Sequence, residues 1–279
     1  MILHALNEIF LAPFADDFMR NAFACVVLVG ISSAMLGCYV LLRRSVFITS
    51  ALSHTILPGV VAASMLGISL YWGALVAALA TALGVGLLSS QKKIGEDAAI
   101  GVMLSFMFAL GILLMTQARS FRDFGGLLFG SILGVDSVDL VFAAGTTFAV
   151  LVFFAMFHGR LKLSTFDPEY AELAGARPRL VQVLFLAFVA LSAVSSVRII
   201  GALLTTALLV IPAASATLLA RSVSGAMKLA IAISISTGAL GLYFSYHFDG
   251  VPAGAAIIIS ESLVFFLCWI FKKTQGNSR

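Results

Sequence analysis

The chain has 279 residues, of which 61% are hydrophobic and only 11% charged, and its mean hydropathy is +1.09. Soluble domains carry roughly 25% charged residues and about 45–50% apolar ones, so a soluble enzyme and a protein held by one anchoring helix are both excluded. The formal net charge of +4 is spread singly or in pairs between apolar runs, which fits orientation in a membrane rather than a nucleic-acid surface.

Residues 1–20, MILHALNEIFLAPFADDFMR, lack a basic start and carry Glu8, Asp16 and Asp17. They read as an amphipathic interfacial segment rather than a cleaved leader. Apolar runs follow at about 21–42, 46–66, 70–89, 98–116, 137–157, 180–197, 199–219, 229–246 and 253–271. Each approaches the ~20 residues that a helix needs to cross the hydrocarbon layer. The expected fold is therefore all-α: a polytopic integral membrane protein of about nine transmembrane helices, in one domain over 21–271 with a tail at 272–279. A count of eight or ten stays open. The run 46–66 contains Ser50, Ser53, His54 and Pro58 and can be a broken or re-entrant element, and the join at Arg198 leaves almost no turn. Cys25, Cys38 and Cys268 all fall inside apolar runs, so no disulfide framework is expected.

Nine crossings put the connections 43–45, 90–97, 158–179 and 220–228 and the C-terminal tail on one side. Thirteen of the seventeen Lys and Arg residues lie there, against Arg20, Arg119, Arg122 and Arg198 on the other. Excess Lys and Arg mark the cytoplasmic side, which sets the N-terminus outside and the C-terminus inside. A missed span would swap every later charge.

The connection HGRLKLSTFDPEYAELAGARPR at 158–179 holds helix punctuation. Thr165 or Asp167 can cap, Pro168 suits a first helical position, Glu169 and Glu172 load the first turns, and Gly175 stops the run. A short helix at about 168–174 is predicted. Its apolar residues Tyr170, Ala171, Leu173 and Ala174 are too few for a core. It is either a solvated connector or a docking knob for a cytoplasmic partner.

Three stretches then carry a resemblance: SALSHTILPGVV at 50–61, FDPEYAELAG at 166–175 and IIGALLTTALLVIPAASATLLA at 199–220. In this order they resemble the permeases of the zinc/manganese/iron uptake family of ABC transporters, over about residues 20–271. The resemblance implies an ABC importer permease of the type II-like helical class in a bacterial cytoplasmic (inner) membrane. It implies a second permease protomer, identical or not, an extracytoplasmic metal-binding protein, and cytoplasmic ABC ATPase subunits. The ATPases would be held by a coupling helix near 166–175, through Phe166, Asp167, Pro168, Glu169, Tyr170, Glu172, Leu173 and Gly175. The cargo would be a divalent metal ion, zinc, manganese or ferrous iron, with no permanently bound cofactor and ATP only in the partner. The chain itself lacks the Gly-x-x-x-x-Gly-Lys-[Ser/Thr] phosphate loop, so it does not cradle ATP by that device, and a non-hydrolytic subunit is expected.

Ionisable groups at bilayer depth are costly, so those retained mark candidate pathway residues. His54 and Glu261 each stand eight residues into a run, or ~12 Å deep at ~1.5 Å per residue. Neutral imidazole suits these metals, and Ser50 lies one turn back on the same face. The family pattern has an acid where this chain has Ser50, and the resemblance would place that acid and His54 in the metal path. Glu261 or a carboxylate from a second permease chain can replace the missing charge, or this protomer can pair with a non-identical permease that keeps the acid. His54 and Glu261 also have bland readings, as a packing histidine and a hydrogen-bonded acid.

At the outer mouth, His247 and Asp249 in YHFDGVP and Asp136 and Asp139 before the fifth run can receive a cation, although turn residues of these types are common. Arg119, Arg122 and Asp123 can pair with a binding protein. Gly126, Gly130 and Gly134 recur every fourth residue and can build a closely packed helix at the mouth. Pro58 and Pro212 lie inside apolar runs and free backbone carbonyls there. The competing function is a secondary, ion-gradient-driven metal transporter with no ATPase, which should show inverted repeats, and none is evident. A membrane scaffold or intramembrane enzyme is a third class; no His-Glu-x-x-His or Gly-x-Ser-x-Gly supports the latter.

Overall fold

A chain that is apolar along its length must satisfy its backbone internally where no water reaches it, and helices do so segment by segment. The computed structural model describes residues 17–89, 95–118, 134–248 and 250–276. Residues 1–16, Arg119, Arg122, Asp123, Gly126, Gly130 and Asp249 lie outside the described residues. Among the described residues every regular element is helical, and nine helices are long and apolar enough to cross a membrane.

Helix α1 (Asp17–Leu42) starts inside the stretch expected to be interfacial. The run 46–66 is broken, as its polar content foreshadowed, into α2 (Val46–Thr55) and α3 (Leu57–Leu66). Pro58 has no N–H to give the His54 carbonyl, so the helix is interrupted at Ile56 just before it. Then come α4 (Leu70–Ser89) and α5 (Glu96–Ala118), whose acidic first residues Glu96 and Asp97 complement the helix dipole. Helix α6 (Ser137–Phe166) is followed by the short α7 (Pro168–Leu173).

The stretch Pro178–Leu219 breaks at Gly201, where φ is 81° and ψ 164°. Its halves, α8 (Pro178–Val197) and α9 (Ile199–Leu219), are separate spans. The chain reverses there. The Phe185 ring centroid is 6.3 Å from that of Tyr39, and the Leu209 carbonyl abuts Gly37, half a turn from Tyr39 on α1. A straight helix would hold Phe185 and Leu209 roughly 36 Å apart at ~1.5 Å per residue. Helices α10 (Val223–His247) and α11 (Ala253–Gly276) complete the fold.

Helices α1 and α9 form the centre, each with 72% of its most apolar window buried, whereas α5 and α11 bury 22% and 17% and lie at the periphery. Close approach of α1 and α9 depends on Gly37, where a Cβ would meet the Leu209 backbone, and that of α3 and α4 on Gly59 with Gly73, where a Cβ on either would meet the other's carbonyl.

The two ends bear out the predicted alternation of crossings. Leu42, Arg43, Ser89, Ser164, Phe166, Pro178 and Ala220 surround two cavities at one end. Met19, Val135, Ile199 and Ala253 pack together at the other. Helix limits differ from the apolar runs. Helix α6 continues through His158, Arg160 and Lys162 to Phe166, and α10 begins at Val223 rather than near 229. A charged residue ends contact with lipid but not the backbone ladder, so helices overshoot the apolar segment. All three cysteines are free.

Candidate functional site

Three regions carry the candidate residues: the middle of the bundle, the helix after α6, and the opposite end, where α6 starts and α10 stops. On α2, Ser50 and His54 are half-buried and share one face. The His54 ring stands edge-on to Phe108 of α5, with centroids 6.4 Å apart, and Phe108 is itself 43% exposed. His54 occupies the last turn of α2, where Pro58 withholds the usual donor and the Ile56 N–H reaches the His54 carbonyl instead. Phe108 gave no signal in the sequence, because only the packing of α5 on α2 brings the two rings together.

Glu261 is fully buried on α11, and among the described residues neither carboxylate oxygen has a hydrogen-bond partner. Ile257, one turn earlier on the same face, packs against Gly241 of α10. Helix α11 packs on α10 and on the Pro178–Leu219 stretch, while α2 packs on α5, α4 and that same stretch. Within this chain neither Glu261 oxygen hydrogen-bonds His54. Among the described residues no three His, Cys, Asp or Glu side chains converge as a metal-holding group. The hydroxyls of Ser33, Ser192, Ser195 and Ser234 are likewise buried without partners among the described residues, and Ser234 lies against Gly30 of α1. A membrane interior retains such groups at a cost.

At the opposite end from α7, Asp136 caps α6. Its carboxylate accepts the Asp139 N–H at 2.8 Å, and the Asp139 carboxylate accepts the Asp136 N–H at 3.2 Å. Asp139 is buried and also accepts the Tyr71 hydroxyl of α4. Both carboxylates thus have a capping task, and Tyr71 was not foreseen as the partner of Asp139. His247 ends α10, exposed, with its Nδ1 3.1 Å from the Tyr243 carbonyl and its ring 4.3 Å from the Tyr243 ring. Gly134 precedes the Asp136 cap and is exposed.

The short helix α7 forms where the sequence punctuation placed it. Asp167 turns the chain out of α6 with φ −145° and ψ 83°, and its side chain accepts the Tyr170 N–H at 2.9 Å. Pro168 takes the first helical position, and Gly175 leaves at φ +73°. The Ala176 N–H returns to the Ala171 carbonyl at 2.8 Å, which closes the C-terminal turn. Ala171 is buried, but Tyr170 is 58%, Phe166 60% and Leu173 87% exposed. Glu169 and Glu172 face solvent beside them. The result is a stapled knob with apolar tips and an acidic flank.

A family model described as ABC 3 transport family matches residues 15–272. The manganese transport system membrane protein MntC of Halalkalibacterium halodurans is 35% identical over 261 residues, 93% of this chain and 89% of that protein. A probable iron transport system membrane protein of Haemophilus influenzae is 34% identical, covering 95% of this chain and 97% of that one. Among solved structures, PsaBC from Streptococcus pneumoniae in complex with Fab superposes with a TM-score of 0.81 at 30% identity, over 96% of this chain and 95% of its own. An inward-facing putative metal-chelate type ABC transporter shares the fold at 16% identity and a TM-score of 0.72, over 90% of this chain and 85% of its own.

Proposed function

The chain belongs to the ABC 3 transport family, and on that premise we propose that it is the permease of an ATP-driven importer of divalent manganese or ferrous iron. The cargo class follows the manganese and iron systems to which its relatives are assigned. Imidazole and carboxylate ligands serve both metals.

The observation that carries the reading is α7. A membrane protein with no phosphate loop presents a capped helix whose Leu173 is 87% exposed at the end where the cytoplasmic connections meet. Such a knob fits a groove on a separate ATPase. Its acidic flank at Glu169 and Glu172 orients the docking, and the one-residue hinge at Asp167 ties it to α6. The charge asymmetry makes that end cytoplasmic in the bacterial inner membrane. A metal-binding protein then delivers the ion at the face that holds Asp136 and His247.

Ser50 and His54 line the metal path. With Ser50 in place of an acid and neither Glu261 oxygen bonded to His54 within the chain, the missing carboxylate comes from a second permease protomer meeting the half-open face of α2 and α5. Hydrolysis in the ATPases displaces both α7 helices and rocks the two bundles, so the His54 region faces each side in turn. Residues 21–271 act as one transmembrane unit in this motion.

Deletion of 167–174, or Glu169→Lys, tests the reading in cells expressing the complete system. Expected is a fully inserted protein with no ATP-dependent metal uptake. Retained uptake would remove the docking role, and uptake that persists without any ATPase would favour an ion-gradient-driven transporter.

A further inference from the structure

Arg43 follows the last residue of α1 and was visible in the sequence only as one cytoplasmic charge among thirteen. In the fold it is largely withdrawn from solvent and reaches across to the last turn of α6. Its Nε donates to the Thr165 hydroxyl at 3.0 Å and its Nη2 to the Ser164 hydroxyl at 2.8 Å. Those hydroxyls spend their own protons on the Leu161 carbonyl, at 3.1 Å from Ser164 and 2.6 Å from Thr165. Their lone pairs are thereby free to accept from the guanidinium, and donor and acceptor roles agree around the whole cluster. The Arg43 guanidinium also lies 5.3 Å from the Phe185 ring centroid at the start of α8. Burial pulls its pKa below the ordinary arginine range, with Glu96 opposing the shift.

On its other side Arg43 belongs to a tight corner. Arg43, Arg44 and Ser45 donate their N–H groups to Tyr39, Leu41 and Val40 at 2.9, 3.0 and 3.0 Å, and Arg44 takes φ +61°. The Ser45 hydroxyl donates to Glu96 Oε1 at 2.6 Å, and Gln182 reaches the other Glu96 oxygen at 3.5 Å. With its backbone donors all engaged, the corner is stiff. It leads directly into α2, a ten-residue helix that ends at the Ile56 break and carries Ser50 and His54. Helix α2 is therefore a short rod with a fixed corner at one end and, at the other, the Ile56 junction, where Pro58 removes one ladder hydrogen bond while the backbone stays helical at φ −70° and ψ −18°. Thr165 stands two residues before Asp167, the cap of α7.

We propose that Arg43 is a positioning residue that carries displacement of the docking helix α7 to the α2 rod bearing His54, through its paired hydrogen bonds to Ser164 and Thr165. This rests on the importer reading above and deepens it. A fork holding two hydroxyls on one helix turn fixes both distance and orientation, which a single point charge does not. Because both acceptors lie on the same turn, the fork holds to that turn as a unit.

The test uses the assembled transporter in proteoliposomes, read as ATP hydrolysed and manganese or ferrous iron taken up. Arg43→Gln is expected to keep hydrolysis within about twofold of the parent while metal moved per ATP falls at least tenfold. Arg43→Lys keeps the charge without the fork and should recover only part of the ratio. Ser164→Ala with Thr165→Val should reproduce the defect, and adding Arg43→Gln to that pair should do nothing more, since the three residues act as one unit. Parental coupling in Arg43→Gln, or additive losses in the combined variant, overturns the proposal. A second readout separates it from failure of the importer reading: amide exchange over 46–55 on adding the ATPase subunit. It should change in the parent and not in Arg43→Gln. If the parent takes up no metal with ATP, the importer reading fails on its own. An exchange response in Arg43→Gln equal to the parent's overturns the link whatever the uptake result.

Discussion

Leu173→Ala probes the docking helix with the smallest change that the structure allows. The side chain is 87% exposed and stands at the end of a helix whose own fixings are the Asp167 cap and the Ala176 to Ala171 bond. Truncation should leave the protomer's stability within about 0.5 kcal/mol, as for surface positions generally. If Leu173 is buried in an ATPase groove, the loss is about 2 kcal/mol per docking site, from ~0.8 kcal/mol for each carbon group removed. That is roughly thirtyfold in affinity at ~1.4 kcal/mol per decade. A permease dimer docking through two such helices would lose on the order of a thousandfold. The assay is a binding titration of the purified ATPase against detergent-solubilised permease, with thermal unfolding of the permease alone as control. Parental affinity in a well-folded Leu173→Ala protein would refute the reasoning, because an apolar tip that contributes nothing to docking has no explanation in this account.

Asp167→Ala removes the acceptor for the Tyr170 N–H and should cost the helix about 0.5–2 kcal/mol. Amide exchange at Tyr170 is then expected to quicken several-fold, while Asp167→Asn restores most of the protection. Gly37→Ala drives a Cβ into the Leu209 backbone, where neither side is a flexible chain end. A penalty of about 1–3 kcal/mol for overpacking should lower the unfolding temperature in detergent by several degrees, and an unchanged temperature would contradict the packing of α1 on α9. For the metal path, His54→Ala should abolish metal retained by the assembled permease dimer and leave ATPase docking intact. Metal binding indistinguishable from the parent would remove His54 from the path.

The membrane architecture was legible because lipid imposes a blunt rule. Apolar runs cross, and the excess of basic residues on alternate connections fixes the register of crossings. Pro58 marked the break in the second span, and Asp167, Pro168 and Gly175 marked α7 nearly to the residue. Helix ends were not legible where charges follow an apolar run: His158, Arg160 and Lys162 continue α6 well past the expected exit. Long-range pairings were invisible for a different reason. Nothing local to Arg43 points to Ser164 and Thr165, more than a hundred residues on, and nothing near Asp139 points to Tyr71. The Gly201 reversal was readable only as a tight join at Arg198, since one glycine at positive φ turns the chain without the polar loop that usually announces a turn.

Elemental analysis of proteoliposomes holding the permease with its ATPase and binding protein bears most directly on the transport claim. Manganese or iron should accumulate against its gradient with ATP and magnesium present, and should not accumulate when the ATPase is omitted or when its hydrolysis is blocked. Equal uphill accumulation by the permease alone would contradict the account at its base.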